Sequence, residues 1–305
     1  MVAEPPTVGS PGPGPRRESF FFSRTDSLLT DLLRRCVAEV IGTWLLVFSG
    51  TSAVAGAVLA GAHVGLWQVG MVQALGVAMA IYITSPVSGA HLNPAVSLAF
   101  AIFRPRDFPR RFLFPYWLSQ LLGAVLAGLT VLVLYNSFIQ RYEDQHGLSR
   151  GEPGSQLSTM MFGEYFPNPG FMGVDESVRS LVSPLGAAAV EAVGTGILVL
   201  VIFALVDRRN TSLPAKYLAP VFIGLTVAMI IGMMAPLTQG GWNPARDFGP
   251  RLVSFFAGWG EIAIPGPSGG FWAYIVGPLI GGPLGAAVYE LLLRPAMPPE
   301  EETEQ

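Results

Sequence analysis

Apolar residues dominate six long runs, Cys36–Ala60, Leu66–Thr84, Phe112–Tyr135, Leu181–Val206, Tyr217–Met234 and Gly270–Leu293. Each is close to the ~20 residues that a helix needs to cross the hydrocarbon core of a bilayer. Their only charged members are Glu39, Glu191 and Glu290. A carboxylate at that depth costs about 3 kcal/mol unless it faces a partner inside the bundle. Two shorter apolar segments, Pro94–Phe103 and Pro244–Ala257, cannot span, and segments of that length are more often re-entrant. Each follows an Asn-Pro pair, which suits a helix start: Asn caps the free N–H groups, and Pro fits the first helical position. The pattern predicts an all-α membrane protein with six transmembrane helices and two re-entrant half-helices.

The chain repeats itself. Ala38-Glu39-Val40-Ile41-Gly42-Thr43 parallels Val190-Glu191-Ala192-Val193-Gly194-Thr195, and Asn93 follows Glu39 by 54 residues where Asn243 follows Glu191 by 52. Three spans per half is an odd number, so the second half must sit upside down relative to the first, an inverted repeat. The divisions expected are a disordered cytoplasmic tail over 1–30, a first half-repeat over 31–135, and a long extracellular loop over 136–180. A second half-repeat over 181–294 and an acidic cytoplasmic tail over 295–305 complete the chain. Gly123, Gly128, Gly224, Gly277, Gly281 and Gly285 read as close helix crossings.

Composition agrees with this placement. Of 305 residues 51% are apolar and 13% charged, too few charges to coat a soluble globule. One cysteine excludes a disulfide scaffold, and a net charge of −3 with no basic stripe argues against nucleic acid as a partner. Thirteen of the 18 basic residues fall at the N-terminal region, Arg104–Arg111, Arg208–Lys216 and Arg294; the five others are Arg141, Arg150, Arg179, Arg246 and Arg251. That bias puts both termini in the cytoplasm.

The two half-helices enter from opposite faces, so their N-termini meet near the midplane. Each end carries unsatisfied N–H donors and about half a positive charge, which together repel cations. Non-helical backbone precedes each, Ser88-Gly89-Ala90-His91-Leu92 and Gln239-Gly240-Gly241-Trp242. Such backbone survives at depth only where it is buried in protein or lines a wet cavity. Carbonyl acceptors flanking the donors Asn93 and Asn243 suit water or a polyol. Arg246 reads as a pore-facing charge that repels cations while donating to neutral solutes. Asp247 and Arg251, at i and i+4, are placed to pair. Glu39 and Glu191 are expected to accept N–H bonds from the loop of their own half. His91 is expected to be packed; His63 and His146 fall in loops with no metal-ligand partners. Ser, His and Asp form no catalytic cluster, so no enzyme activity is expected.

Ser88-Gly89-Ala90-His91-Leu92-Asn93-Pro94-Ala95-Val96 and Asn243-Pro244-Ala245-Arg246-Asp247-Phe248-Gly249-Pro250-Arg251 resemble the twin signatures of the major intrinsic proteins, the aquaporins and glycerol facilitators. The resemblance runs from about Cys36 to Arg294. Asp247 after Arg246, Arg251 four later, the loop Phe162–Pro169, and Ala257-Gly258-Trp259-Gly260 are similar to the aquaglyceroporin branch. The resemblance implies a homotetramer in the plasma membrane, one pore per subunit, and passive conduction of glycerol, other small neutral solutes and water without a cofactor or metal. It implies that the carbonyls of Gly89, Ala90, His91, Gly240, Gly241 and Trp242 line the path. By motif offset it places the outer filter at Gln73, Ile231, Gly240 and Arg246. Glycerol facilitators typically carry aromatics at the first and third of these, so Gln, Ile and Gly predict a more polar and wider opening. Tyr274 stands where that branch usually has Pro. A water-selective, urea- or metalloid-conducting pore, and an alternating-access transporter, remain open alternatives.

Overall fold

The computed structural model describes residues 24–63, 65–212 and 215–298. Among them all regular structure is helical. The principal helices are α1 (Arg24–Ala60), α2 (Leu66–Ser88), α3 (Pro94–Phe103) and α4 (Leu113–His146) in the first half. In the second are α5 (Pro184–Val206), α6 (Ala219–Thr238), α7 (Pro244–Ser254) and α8 (Ala273–Ala287). Six segments have the length and apolarity to cross a membrane, and Pro94–Phe103 is the shorter apolar helix. Between α4 and α5 the chain forms single turns at Gln156–Thr159, Pro169–Met172 and Glu176–Arg179.

Helix packing repeats between the halves. α1 packs on α2 and α4, as α5 packs on α6 and α8, and α2 meets α6 at the centre. The half-helices cross over: α3 seats against α8 and α7 against α4, so each rests on the third span of the other half. The six glycines mark these approaches. A Cβ on Gly281 would lie 2.0 Å from the Ala192 carbonyl oxygen, one on Gly123 2.4 Å from that of Val40, and one on Gly128 2.8 Å from Pro250 Cα. Without side chains at these points, backbones close to distances that methyl groups would forbid.

Helix ends differ from the apolar runs. α1 already runs from Arg24, so 24–30 is helix rather than tail; residues 1–23, with Arg16 and Arg17, lie outside the described residues. α4 continues eleven residues past Tyr135 to His146, so 136–146 is helix and His146 its last residue, stopped by Gly147 at φ 62°. Hydropathy marks where lipid ends; backbone hydrogen bonds continue until a left-handed glycine stops them. Conversely, α5 begins at Pro184 behind its Ser183 cap, α8 begins at Ala273, and α7 gives way after Ser254 to a π-helical turn, Phe255–Trp259. The acidic end is described only to residue 298.

The C-terminal end of α3 is tied to both neighbours by charge. Arg104 Nε donates to Glu290 Oε1 at 2.7 Å, and Arg294 donates to Asp207 at 2.8 Å and Glu290 at 3.0 Å. Glu290, the carboxylate for which the sequence offered no partner, is thus paired twice. A cation at the end of α3 also complements its dipole. Asp207 lies just outside the α5 span. Burial opposes its charge, but the Arg209 backbone N–H and the Arg294 guanidinium outweigh burial and hold the carboxyl below its usual range. The stability it contributes is therefore complete above the ordinary aspartate value of 3.8 and is lost as pH falls through the lowered native value. Asp207→Asn is expected to lower the unfolding midpoint in detergent at pH 7. The gap from the parent protein should close as the pH is taken well below 3.8.

Candidate functional site

Each half-helix is preceded by an unwound segment, and the two segments have the same backbone plan. Counting back from the motif asparagine, positive φ occurs at the first, third and fourth residues in both: Leu92, Ala90 and Gly89 before Asn93, and Trp242, Gly240 and Gln239 before Asn243. Left-handed conformation costs a non-glycine residue about 1–2 kcal/mol, so Ala90, Leu92, Gln239 and Trp242 need compensation.

Two buried carboxylates supply it. Glu39 accepts the N–H groups of His91 at 3.0 Å and Leu92 at 2.8 Å, the Ser88 hydroxyl at 2.7 Å and the Gln120 amide at 2.8 Å. Glu191 accepts the N–H groups of Gly241 at 3.1 Å and Trp242 at 2.6 Å and the Thr238 hydroxyl at 2.7 Å. His91 corresponds to Gly241, Leu92 to Trp242 and Ser88 to Thr238, so the expected support role of both glutamates has a matching geometry. Outside the expectation is a tyrosine in each half: Tyr116 donates to the Ser88 carbonyl at 2.7 Å and Tyr274 to that of Thr238 at 3.0 Å. The departure at Tyr274 thereby acquires a structural reason. Gly42 and Gly194 complete the seats, because a Cβ there would lie 2.5 Å from Leu92 Cδ2 and 2.1 Å from Trp242 Nε1.

At the centre the halves exchange hydrogen bonds. Asn93 Nδ2 donates to the Trp242 carbonyl at 2.9 Å, and Asn243 Nδ2 to the Leu92 carbonyl at 2.8 Å. Their Oδ1 atoms cap the half-helices, Asn93 accepting from Ala95 N and Asn243 from Ala245 N and Arg246 N. Each amide keeps one N–H for a passing molecule, and the Trp242 carbonyl, expected on the path, has one lone pair already used. Pro94, Ala95, Pro244 and Ala245 are buried in the first helical turns. The His91 ring is packed among Phe100, Phe108 and Tyr116, with Nδ1 3.1 Å from Ser97 Oγ.

A cavity of about 250 Å³ runs along both unwound segments and both asparagines, and a second of about 400 Å³ opens from the other side. The residues common to both linings are Gln73, Ile231, Gly240 and Arg246, the four that motif offset placed at a filter. They line the place where the two spaces adjoin. One further residue there had no sequence signal beyond a lone acid in a loop. Glu164 is ion-paired with Arg246, the two side chains being 2% and 5% exposed. Burial pushes the Glu164 carboxyl above its usual range, and the Arg246 guanidinium pulls it back.

Asp247 and Arg251 hold Glu164 in place. Arg251 pairs with Asp247 through Nε at 2.9 Å and Nη2 at 2.7 Å, as their spacing predicted. The same pair clasps the loop: Asp247 Oδ1 accepts from Glu164 N at 2.8 Å, while Arg251 Nη2 donates to the Glu164 carbonyl and Nη1 to that of Ala263. Gln239 accepts from Tyr165 N at 2.9 Å. Among the described residues no group of three or more His, Cys, Asp or Glu is placed to hold a metal.

Comparison with known proteins bears on this architecture. Residues 27–289 match the family model described as major intrinsic protein. The chain belongs to the major intrinsic protein family. It is 42% identical to the glycerol uptake facilitator protein of Pseudomonas aeruginosa, over 88% of this chain and 91% of that one. With the glycerol uptake facilitator protein of Escherichia coli it shares 40% identity, covering 89% and 92%. The propanediol uptake facilitator PduF of Citrobacter freundii is 38% identical, covering 88% and 94%. Among solved structures, the aquaglyceroporin from Plasmodium falciparum superposes with a TM-score of 0.73 at 26% identity, covering 87% of this chain and 98% of that one. This family member is an integral membrane protein with the six-helix, two-half-helix fold.

Removing a carboxylate should show how much the unwound segments depend on it. Glu191→Ala leaves three buried donors without an acceptor, each costing about 1–3 kcal/mol. A loss of several kcal/mol is expected, read as a lower unfolding midpoint in detergent. Glu191→Gln, which keeps one acceptor oxygen, should lose less.

Proposed function

We propose that this protein is a passive pore for glycerol and other small neutral solutes, with water permeating as well. The observation that carries the reading is the join of two cavities at Gln73, Ile231, Gly240 and Arg246, directly outside a pair of opposed half-helix ends. Glycerol uptake facilitators at about 40% identity support glycerol as the solute. A molecule moving through meets carbonyls of Gly89, Ala90 and His91 on one side, the amides of Asn93 and Asn243 in the middle, and carbonyls of Gly240, Gly241 and Trp242 on the other. A polyol can exchange each lost water hydrogen bond for one with the wall.

An ion cannot make that exchange. The two half-helix N-termini bring positive partial charge to the midplane, and the asparagine amides present donors there, so cations and protons are repelled. At the filter, Arg246 offers donors in a fixed direction because Glu164, Asp247 and Arg251 immobilise it and its loop. Pairing with Glu164 leaves the filter charge-compensated, which suits neutral solutes. The bias of basic residues supports both termini being cytoplasmic. The plasma membrane and a homotetramer with one pore per subunit complete the proposal. No step needs a cofactor or a catalytic group.

Liposomes carrying the protein should shrink and then reswell in a glycerol gradient, with flux rising linearly with concentration. Flux no greater than that of empty vesicles defeats the reading, and flux that saturates points to alternating access. Arg246→Ala is expected to admit larger solutes or ions, measured as reswelling in a solute series and as vesicle conductance. An unchanged ranking of solutes would remove Arg246 from the filter.

A further inference from the structure

Gly50 lies buried in α1 behind the join of the two cavities. A Cβ built there would stand 2.1 Å from Gln73 Oε1, 2.6 Å from Cδ and 2.8 Å from Nε2. Those separations are far inside the ~3.5–4 Å of ordinary contact, so the Gln73 carboxamide occupies the volume of the missing methyl group. Gln73 itself lines both cavities and is 7% exposed. No described residue forms a hydrogen bond with its carboxamide, which is held by fit alone.

The other groups at the join have less freedom. Gly240 has no side chain, and Arg246 is fixed by Glu164. Ile231 stands on α6 where that helix meets α2 at near-backbone distance. A Cβ on Gly224 would lie 2.3 Å from the Ala74 carbonyl oxygen, and one on Gly70 3.5 Å from both Ala228 Cα and Ile231 Cγ2. Neither helix can advance further to narrow the gap. The one flexible, unbonded side chain in the ring is Gln73, and the notch at Gly50 decides where its carboxamide goes.

We propose that Gly50, which touches no solute, is a specificity-determining residue: by housing the Gln73 carboxamide it sets the largest linear polyol the pore admits. The inference rests on the filter reading given above. With a methyl group at position 50, the end of a flexible side chain is the cheapest thing to move, and the space open to it is the lumen.

The test compares the parent protein, Gly50→Ala, Gln73→Ala and the Gly50→Ala/Gln73→Ala double variant in liposomes, using water and linear polyols of three, four and five carbons. Size exclusion in detergent checks that each variant is folded. Gly50→Ala should lower the flux of the five-carbon polyol relative to water by about tenfold or more, the discrimination that one methylene of space commonly gives. The double variant should match Gln73→Ala, because no carboxamide is left to displace. Polyol-to-water ratios unchanged in Gly50→Ala, or a loss that the double variant fails to reverse, overturn the inference and leave the channel reading standing. A parent protein that passes no polyol overturns the channel reading itself.

Discussion

Inside a bilayer no water is present to satisfy backbone N–H and C=O groups, and this constraint governs every unusual feature of the fold. Two segments of chain leave helical geometry in the middle of the bundle, and each does so against a buried glutamate. Glu39 and Glu191 draw two consecutive N–H groups apiece to one side, and left-handed turns at matched positions make that possible. Once the donors are gathered on the carboxylate, carbonyls are left for the cavity. The carboxylates in turn are tolerated at depth because three or four donors surround each.

The second dependence is between halves. Neither half-helix is completed by its own repeat: each rests on the third span of the other, and each asparagine donates to the carbonyl preceding the opposite motif. The centre of the molecule therefore forms only when both halves are present. Glycines at the crossings are what allow this, since a Cβ on Gly128 would lie 2.8 Å from Pro250 Cα and one on Gly282 2.9 Å from the Ala95 carbonyl oxygen.

Much of this was legible in the chain and some was not, for physical reasons that differ by element. The spans, the half-helices and the glycine crossings follow from hydropathy and spacing, because lipid exposure and close packing are written locally. The paired glutamates follow from the repeat. Tyr116 and Tyr274 do equivalent work yet lie 23 and 31 residues after their asparagines, the offset being hidden by the extra turn and loop after α7. Glu164 was invisible because its partner, Arg246, is 82 residues away and the contact depends on how the long loop folds back. Helix ends such as His146 lie in polar sequence, where hydropathy reports the membrane boundary and not the last hydrogen bond.

The pairing of Glu164 with Arg246, and of Asp247 with Arg251, changes the reach of the electric field at this mouth of the cavity. A lone guanidinium is a monopole whose potential falls as the inverse of distance and is felt out to about a Debye length, ~8 Å at physiological salt. An ion pair is a dipole, and its potential falls as the inverse square. These two buried pairs thus add little long-range repulsion or steering at this entrance. On the proposed reading, discrimination there is confined to direct contact, and the burden of keeping charge out shifts inward to the two facing helix ends.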